Sequence, residues 1–287
     1  MSALRRSIAS TPAGPLEITV TAATHTGLVR SANEDSFLAE GAVFVVADGM
    51  GGHERGEVAS RSAITVLREG LRLDAPNTPV ALLAAIDDAN STVRALSATT
   101  DVGTRVAGTT LAGVALVDAG DPNRLYWMAF NVGDSRVYTW DGRKLEQLSV
   151  DHSAVQELID AGAISVADAA SHPDRNIITR ALGAEVDVDA DVWLLPVSGH
   201  QGFLICSDGL TKDVGDERIA AALAEHADAA EALVELALSA GGRDNVTVVI
   251  VEAVAAEGVD AVETTQDRDG LAEGTDEDTT PRLVRGT

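Results

Sequence analysis

Two apolar rhythms alternate along the chain. Runs rich in Val, Ile and Thr and closed off by Gly or Asp occur at Glu17 to Ala23, Val43 to Ala47, Thr109 to Val117, Leu125 to Val132, Arg136 to Trp140, Gly202 to Cys206 and Val246 to Val251, and predict β-strands. Between them the spacing changes. Ala59, Ala63, Leu67 and Leu71 recur every four residues, Leu82, Ile86, Ala89, Val93 and Leu96 alternate steps of four and three, and Ala229, Leu233, Leu236 and Ala240 repeat the pattern. Each set falls on one face of a helix. The strands bunch between 109 and 140 instead of alternating with helices, which predicts an α+β layered domain with antiparallel sheets and not a doubly wound parallel one. Asp141-Gly142, between Tyr138-Thr-Trp140 and Lys144-Leu-Glu-Gln-Leu, is a hairpin turn signal.

The periodicity stops at both ends. Residues 1–15 carry Ser, Thr, Gly and Pro without a pattern, and 255–287 is rich in Glu, Asp, Thr and Gly, so both are expected to be disordered around a folded domain at 16–254. With 287 residues, 45% of them apolar, the chain can bury a substantial core. Its net charge is −24, of which nine acids and three arginines place −6 in the tail, so the folded part is itself acidic. Without a basic cluster to neutralise phosphates, a nucleic-acid partner is excluded. The single cysteine, Cys206, excludes an internal disulfide and multi-cysteine metal sites, and suits a reducing cytoplasm. The N-terminus has no apolar stretch of the roughly 7–15 residues that a signal peptide needs, and no run approaches the roughly 20 of a membrane span. The expectation is a soluble cytoplasmic protein, acting as a monomer.

The chemistry is suggested by where the aspartates fall. Val45-Val-Ala-Asp48-Gly49, Leu204-Ile-Cys-Ser-Asp208-Gly209 and Gly241-Gly-Arg-Asp244-Asn245 each set an Asp at the junction of an apolar run and a Gly-containing turn. Phe130-Asn-Val-Gly133-Asp134-Ser135-Arg136 adds a fourth with the order reversed, and Glu34-Asp35 is a further acidic pair. Asp-Gly pairs are ordinary turn formers taken singly. Several carboxylates converging at sheet ends could not all stay ionised without a cation, and carboxylates with backbone carbonyls select hard ions, Mg²⁺ or Mn²⁺ over zinc or copper.

Taken in order, Arg30-Ser-Ala-Asn33-Glu34-Asp35-Ser36, Ala47-Asp48-Gly49-Met50-Gly51-Gly52-His53, Gly108-Thr109-Thr110, Gly133-Asp134-Ser135-Arg136, Asp151-His152-Ser153, Ile178-Thr179-Arg180-Ala181-Leu182-Gly183, Ser207-Asp208-Gly209-Leu210 and Asp244-Asn245 resemble the motifs of the metal-dependent type 2C protein serine/threonine phosphatases, in their bacterial form. The resemblance extends over about 17–252. It implies a four-layer α-β-β-α sandwich with a dinuclear Mn²⁺ or Mg²⁺ centre at one end of the two sheets. In that scheme Asp48 bridges the two ions, the Gly49 carbonyl holds the second, and Asp208 and Asp244 complete the first. Glu34 and Asp35 act on the second through waters, and Asp134 with Asp208 supports a third, weaker ion. Arg30 binds the substrate phosphate as a planar two-point donor. The implied reaction is hydrolysis of phosphoserine and phosphothreonine on proteins by a metal-activated water, with a Ser/Thr kinase among the partners. The segment from about 151 to 191 resembles the flap that bacterial members carry beside the metal site.

The chain departs from the wider family at Met50, where eukaryotic members have a histidine as general acid; His53 follows three residues on. Two narrower readings of the same fold are a phosphatase dedicated to one regulator, such as an anti-sigma-factor antagonist, and an inactive phosphoprotein-binding module. Cys206 reads as a strand-core residue, since Lys212 stands where a cysteine-phosphatase loop needs Arg. Asp187-Val-Asp189-Ala-Asp191 lacks the Gly and Glu of a calcium loop and reads as a solvated acidic strand edge.

Overall fold

The computed structural model describes residues 4–12, 14–51, 55–100, 103–105, 107–169, 171–255 and 282–283. Among the described residues, fifteen strands and seven helices follow one another as β1 (Arg5–Thr11), β2 (Gly14–His25), β3 (Asp35–Glu40), β4 (Val43–Met50), α1 (Arg55–Gly70), α2 (Pro79–Ala95), β5 (Ala98–Thr100), β6 (Gly103–Arg105), β7 (Gly108–Thr109), β8 (Leu111–Val117), β9 (Tyr126–Val132), β10 (Arg136–Trp140) and β11 (Leu145–Gln147). Then come α3 (Ala154–Asp160), α4 (Val166–Ala169), β12 (Asp191–Pro196), β13 (His200–Cys206), α5 (Asp208–Thr211), α6 (Asp216–Glu225), α7 (Ala229–Ser239), β14 (Val246–Ala255) and β15 (Arg282–Leu283).

The strands form two large sheets, ordered β1-β2-β14-β13-β10-β11 and β15-β12-β9-β8-β4-β3, and every pairing between strands is antiparallel. Both sheets are covered on both faces, which is why their strands read as nearly unbroken apolar runs. On β4, Phe44 and Val46 point between the sheets, while Val43, Val45 and Ala47 pack under α1 and α2. On β13, Phe203 and Ile205 point inward, and Leu204 and Cys206 pack under α6 and α7. The result is the expected α-β-β-α sandwich with three cores. In the middle one Trp127 lies between Phe44 and Phe203, at ring-centroid distances of 6.3 and 5.5 Å. Burying each such ring stabilises the fold by roughly 1.5–3 kcal/mol.

Three expectations need correction. Residues 5–11 are not unstructured: they pair with β2 in register from Arg5 opposite Val20 to Thr11 opposite Gly14. Leu16 and Ala9, facing each other across that ladder, both join the inter-sheet core, so the hairpin is held by burial that the short polar sequence conceals. At the other end β14 continues to Ala255, and Arg282–Leu283 pair with Val192 and Trp193 at the edge of the second sheet. The remainder of the acidic tail, with Thr264 and Thr265, lies outside the described residues. Asp187 and Asp189 are exposed as expected, but Asp191 opens β12 buried and accepts a hydrogen bond from Arg180. No helix among the described residues is long and apolar enough to cross a membrane.

Candidate metal centre

The aspartates of the four junctions meet at one end of the sandwich because antiparallel pairing returns their strands to the same edge. Asp48 lies near the end of β4 and Asp35 opens β3 directly opposite it in the ladder. Asp208 follows β13 as the first residue of α5, Asp244 precedes β14, and Asp134 sits in the turn between β9 and β10. Gly133 makes that turn at φ +108°, a conformation an L side chain rarely takes.

Close backbone approach fixes the neighbouring loops. A Cβ on Gly49 would fall 2.0 Å from the Gly56 carbonyl oxygen, and one on Gly209 would fall 1.9 Å from that of Asn245. Glycine at these positions lets α1 and the Asn245 loop close on the strand ends. The Asn245 side chain then organises the loop before β3: its Oδ1 accepts from Glu34 N at 2.8 Å, and its Nδ2 donates to the carbonyls of Thr26 and Ala32 at 2.8 and 2.9 Å. Thr110 Oγ1 accepts from Asp48 N at 2.9 Å, and Ser207 Oγ donates to Asp35 Oδ2 at 2.8 Å. None of these three polar residues was singled out as a site residue from sequence, because their partners lie far along the chain.

The electrostatics are those of a crowded carboxylate cluster. Burial, with the charges of Asp35, Asp208, Asp134 and Asp244, pushes Asp48 well above the ordinary carboxylate range. Burial raises Asp35 to about 7 against the hydrogen bonds of Thr247 and Ser207. It raises Asp134 to about 7 with the help of Asp208, and it raises Asp208 against the pull of Lys212. Glu34 is raised by burial and held back by Arg30. Asp35 Oδ1, Asp134 Oδ1 and Asp208 Oδ1 are buried without a hydrogen-bond partner. Buried orphan oxygens are rare and costly, and hard oxygen donors in this state suit Mg²⁺ or Mn²⁺.

Among the described residues no three acidic, histidine or cysteine side chains already stand in a ligating arrangement. Side-chain cations hold two of the carboxylates instead. Arg30 Nη2 lies 2.9 and 3.0 Å from the two oxygens of Asp244, and Lys212 Nζ contacts Asp208 Oδ2 and lies 3.5 Å from Asp244 Oδ2. Lys212 went unrecognised in the sequence as a member of the cluster; its place one helical turn after Asp208 was the available signal.

A cleft of about 750 Å³ opens over the cluster, lined by Arg30, Glu34, Asp48, Gly49, Met50, Asp208, Lys212 and Asp244 and, from the segment between α4 and β12, by Asn176 and Ile178. All eight expected site residues are therefore brought to one end of the molecule, with Asp134 buried behind Asp208. Met50 lines the cleft, and His53 lies outside the described residues. Cys206 is fully buried and burial pushes its thiol up to about 12, so it is not a nucleophile.

The comparisons agree with this geometry. Residues 26–243 match the model of the family described as protein phosphatase 2C. The serine/threonine protein phosphatase PstP of Mycobacterium tuberculosis is 40% identical over 231 residues, 79% of this chain but 43% of that relative's length, so the chain spans less than half of it. The serine/threonine phosphatase stp of Listeria monocytogenes is 36% identical over 246 residues, 80% of this chain and 93% of that protein. The crystal structure of the M. tuberculosis PstP/Ppp phosphatase superposes with a TM-score of 0.71 at 39% identity, over 82% of this chain and 98% of that one. A PstP catalytic domain solved with two manganese ions superposes at 0.72 and 36% identity, over 84% of this chain and 100% of that one. Sequence motifs, sandwich and carboxylate cluster thus converge on one conclusion: this chain belongs to the protein phosphatase 2C family.

Proposed function

We propose that the chain is a metal-dependent protein phosphatase that hydrolyses phosphoserine and phosphothreonine on proteins in the cytoplasm. The observation that carries this reading is the cluster of buried Asp35, Asp134 and Asp208, with three orphan oxygens, beside half-buried Asp48 beneath a cleft that has Arg30 at its mouth. The residues that would hold two Mn²⁺ or Mg²⁺ ions are Asp48, the Gly49 carbonyl, Asp208 and Asp244, with Glu34 and Asp35 acting through water and Asp134 beside Asp208. When bound, such a pair supplies an activated water and neutralises charge developing on the phosphoryl group.

The chain's own residues do the rest. Arg30, its charge opposed by burial but upheld by Asp244, presents a planar donor pair to a phosphate dianion once it leaves that carboxylate. Asn245, accepting from Glu34 N, and Gly49, whose N–H donates to the Glu34 carbonyl, fix the Glu34 backbone against the end of β4. Met50 carries no proton to donate, so the leaving serine or threonine oxygen takes its proton from water in the cleft. The segment 151–191, whose Asn176 and Ile178 line the cleft, serves as a flap governing access. The folded catalytic unit is 16–254, extended at its start by β1, and it works as a monomer on phosphorylated proteins that include a Ser/Thr kinase.

Hydrolysis of p-nitrophenyl phosphate and of a phosphothreonine peptide, dependent on Mn²⁺ and lost on chelation, is the expected result. No turnover of either with saturating Mn²⁺ would overturn the reading in favour of a binding module.

A further inference from the structure

We propose that Lys212 is a resident cation of the carboxylate cluster: its ammonium ties Asp208 to Asp244 in the metal-free chain, and a divalent ion must displace it to bind between them. The inference rests on the metal-dependent reading above, but not on turnover.

Lys212 immediately follows the short helix α5 that Asp208 opens, so its side chain folds back over the first turn toward that carboxylate. Nζ contacts Asp208 Oδ2 and lies 3.5 Å from Asp244 Oδ2, joining two acids that arrive from different strands. Unlike an ordinary surface i,i+4 pair, this one joins a buried carboxylate, Asp208 at 10% side-chain exposure, to a lysine that reaches it from the cleft at 36%. The geometry is therefore that of a charge set into the cluster.

The chemistry distinguishes Lys212 from Arg30, which shares Asp244. A guanidinium matches the carboxylate as a fixed fork, whereas an ammonium is a compact point charge on a flexible stem and can leave by changing rotamers. It meets the same need as the metal, positive charge between Asp208 and Asp244, with one unit in place of two. Whatever stabilises the metal-free state and not the loaded one weakens metal binding by the same free energy. Lys212 thus sets the divalent-ion concentration at which the centre loads.

The test is calorimetric titration of the full chain with MnCl₂ at pH 8, after chelator treatment, for wild type, Lys212→Met and Lys212→Arg. Lys212→Met should bind Mn²⁺ about tenfold more tightly, inside the 5–150-fold span of ordinary coupling. It should also melt at a lower temperature than wild type in chelator, with a smaller difference when Mn²⁺ is saturating. Lys212→Arg, which keeps the charge on a group that holds carboxylates as a fixed fork, should bind Mn²⁺ no more tightly than wild type. If Lys212→Met cannot be kept folded without metal, Lys212→Gln unloaded from its Mn²⁺ form by a competing chelator gives the same comparison. Unchanged or weaker Mn²⁺ affinity in the neutral variants would overturn the proposal. Tight Mn²⁺ binding without phosphatase turnover would overturn the functional reading and leave this one standing.

Discussion

The middle of the sandwich and its carboxylate end are built on opposite principles within the same strands. Between the sheets, Phe44, Trp127 and Phe203 fill space in tilted and edge-on contacts, and all three are essentially inaccessible to water. Four residues along β4 from Phe44, Asp48 meets Asp35 across the ladder and Asp208 and Asp134 beside it, a set of like charges that raise one another's pKa. The first region gains free energy from every neighbour. The second loses it and is tolerated because the first holds the strands in register. Frustration of this kind, confined to one end of an otherwise consistent fold, is the physical mark of a candidate functional site.

Substitutions should separate the two regions cleanly. The largest effect is expected from Asp208→Ala, which should lower kcat/KM on p-nitrophenyl phosphate by a factor on the order of 10³, about 4 kcal/mol of transition-state stabilisation. Its melting temperature in chelator should not fall, since a buried charge with an orphan oxygen is removed; near wild-type turnover with saturating Mn²⁺ would dissolve the contrast. Trp127→Ala should do the reverse, costing roughly 3–5 kcal/mol in denaturant unfolding while activity per folded molecule is kept.

A pH titration of metal-free stability sharpens the same comparison. Asp35 and Asp134 are raised in the folded chain to about 7, above their unfolded range near 4, so the folded state holds protons that the unfolded state has released. Stability in chelator should therefore fall as pH rises from about 4 to about 7, where ordinary ion-paired carboxylates would make it rise. Thermal melts across that range check the sign, and a rising curve would show that the cluster is relaxed without metal.

Smaller effects are expected at the margins. Arg30→Ala should raise KM several-fold with a lesser change in kcat, because a phosphate contact made equally in ground and transition states affects binding. Truncation after Ala255, where the β14 ladder ends, should leave hydrolysis of p-nitrophenyl phosphate unchanged, which initial rates of the two proteins would check. Cutting at Glu252 would remove the pairings of Ala253, Val254 and Ala255 and would confuse a structural loss with a role of the tail.

Much of this was readable before any coordinates. The continuous runs of β4, β8, β9 and β13, the four-residue spacing of α1 and the alternating four- and three-residue spacing of α2 announced themselves, since burial on two faces or one stripe writes a local pattern. β1 and α6 did not stand out. β1 is mostly exposed and gains its place from pairing with β2, while α6 carries only Ile219 and Ala222 as buried residues. The seven charged candidate residues and Gly49 were legible through ordered motifs, and for Asp48, Asp134 and Asp208 the local signature is an Asp beside a Gly at a strand end.

By itself, then, the sequence determined the main strands and helices, the layered antiparallel class and the family, and nominated the carboxylates, all of which are recorded in short-range spacing and composition. Only the tertiary structure decided which charges meet. Arg30 and Lys212 converge on Asp244 from 214 and 32 residues away, Asn245 binds the loop of Glu34 from 211, and Ser207 reaches Asp35 from 172. Contacts at such separations depend on how strands from both halves of the chain interleave in the two sheets. A carboxylate's burial and pKa belong to that assembled environment and not to its neighbours in sequence.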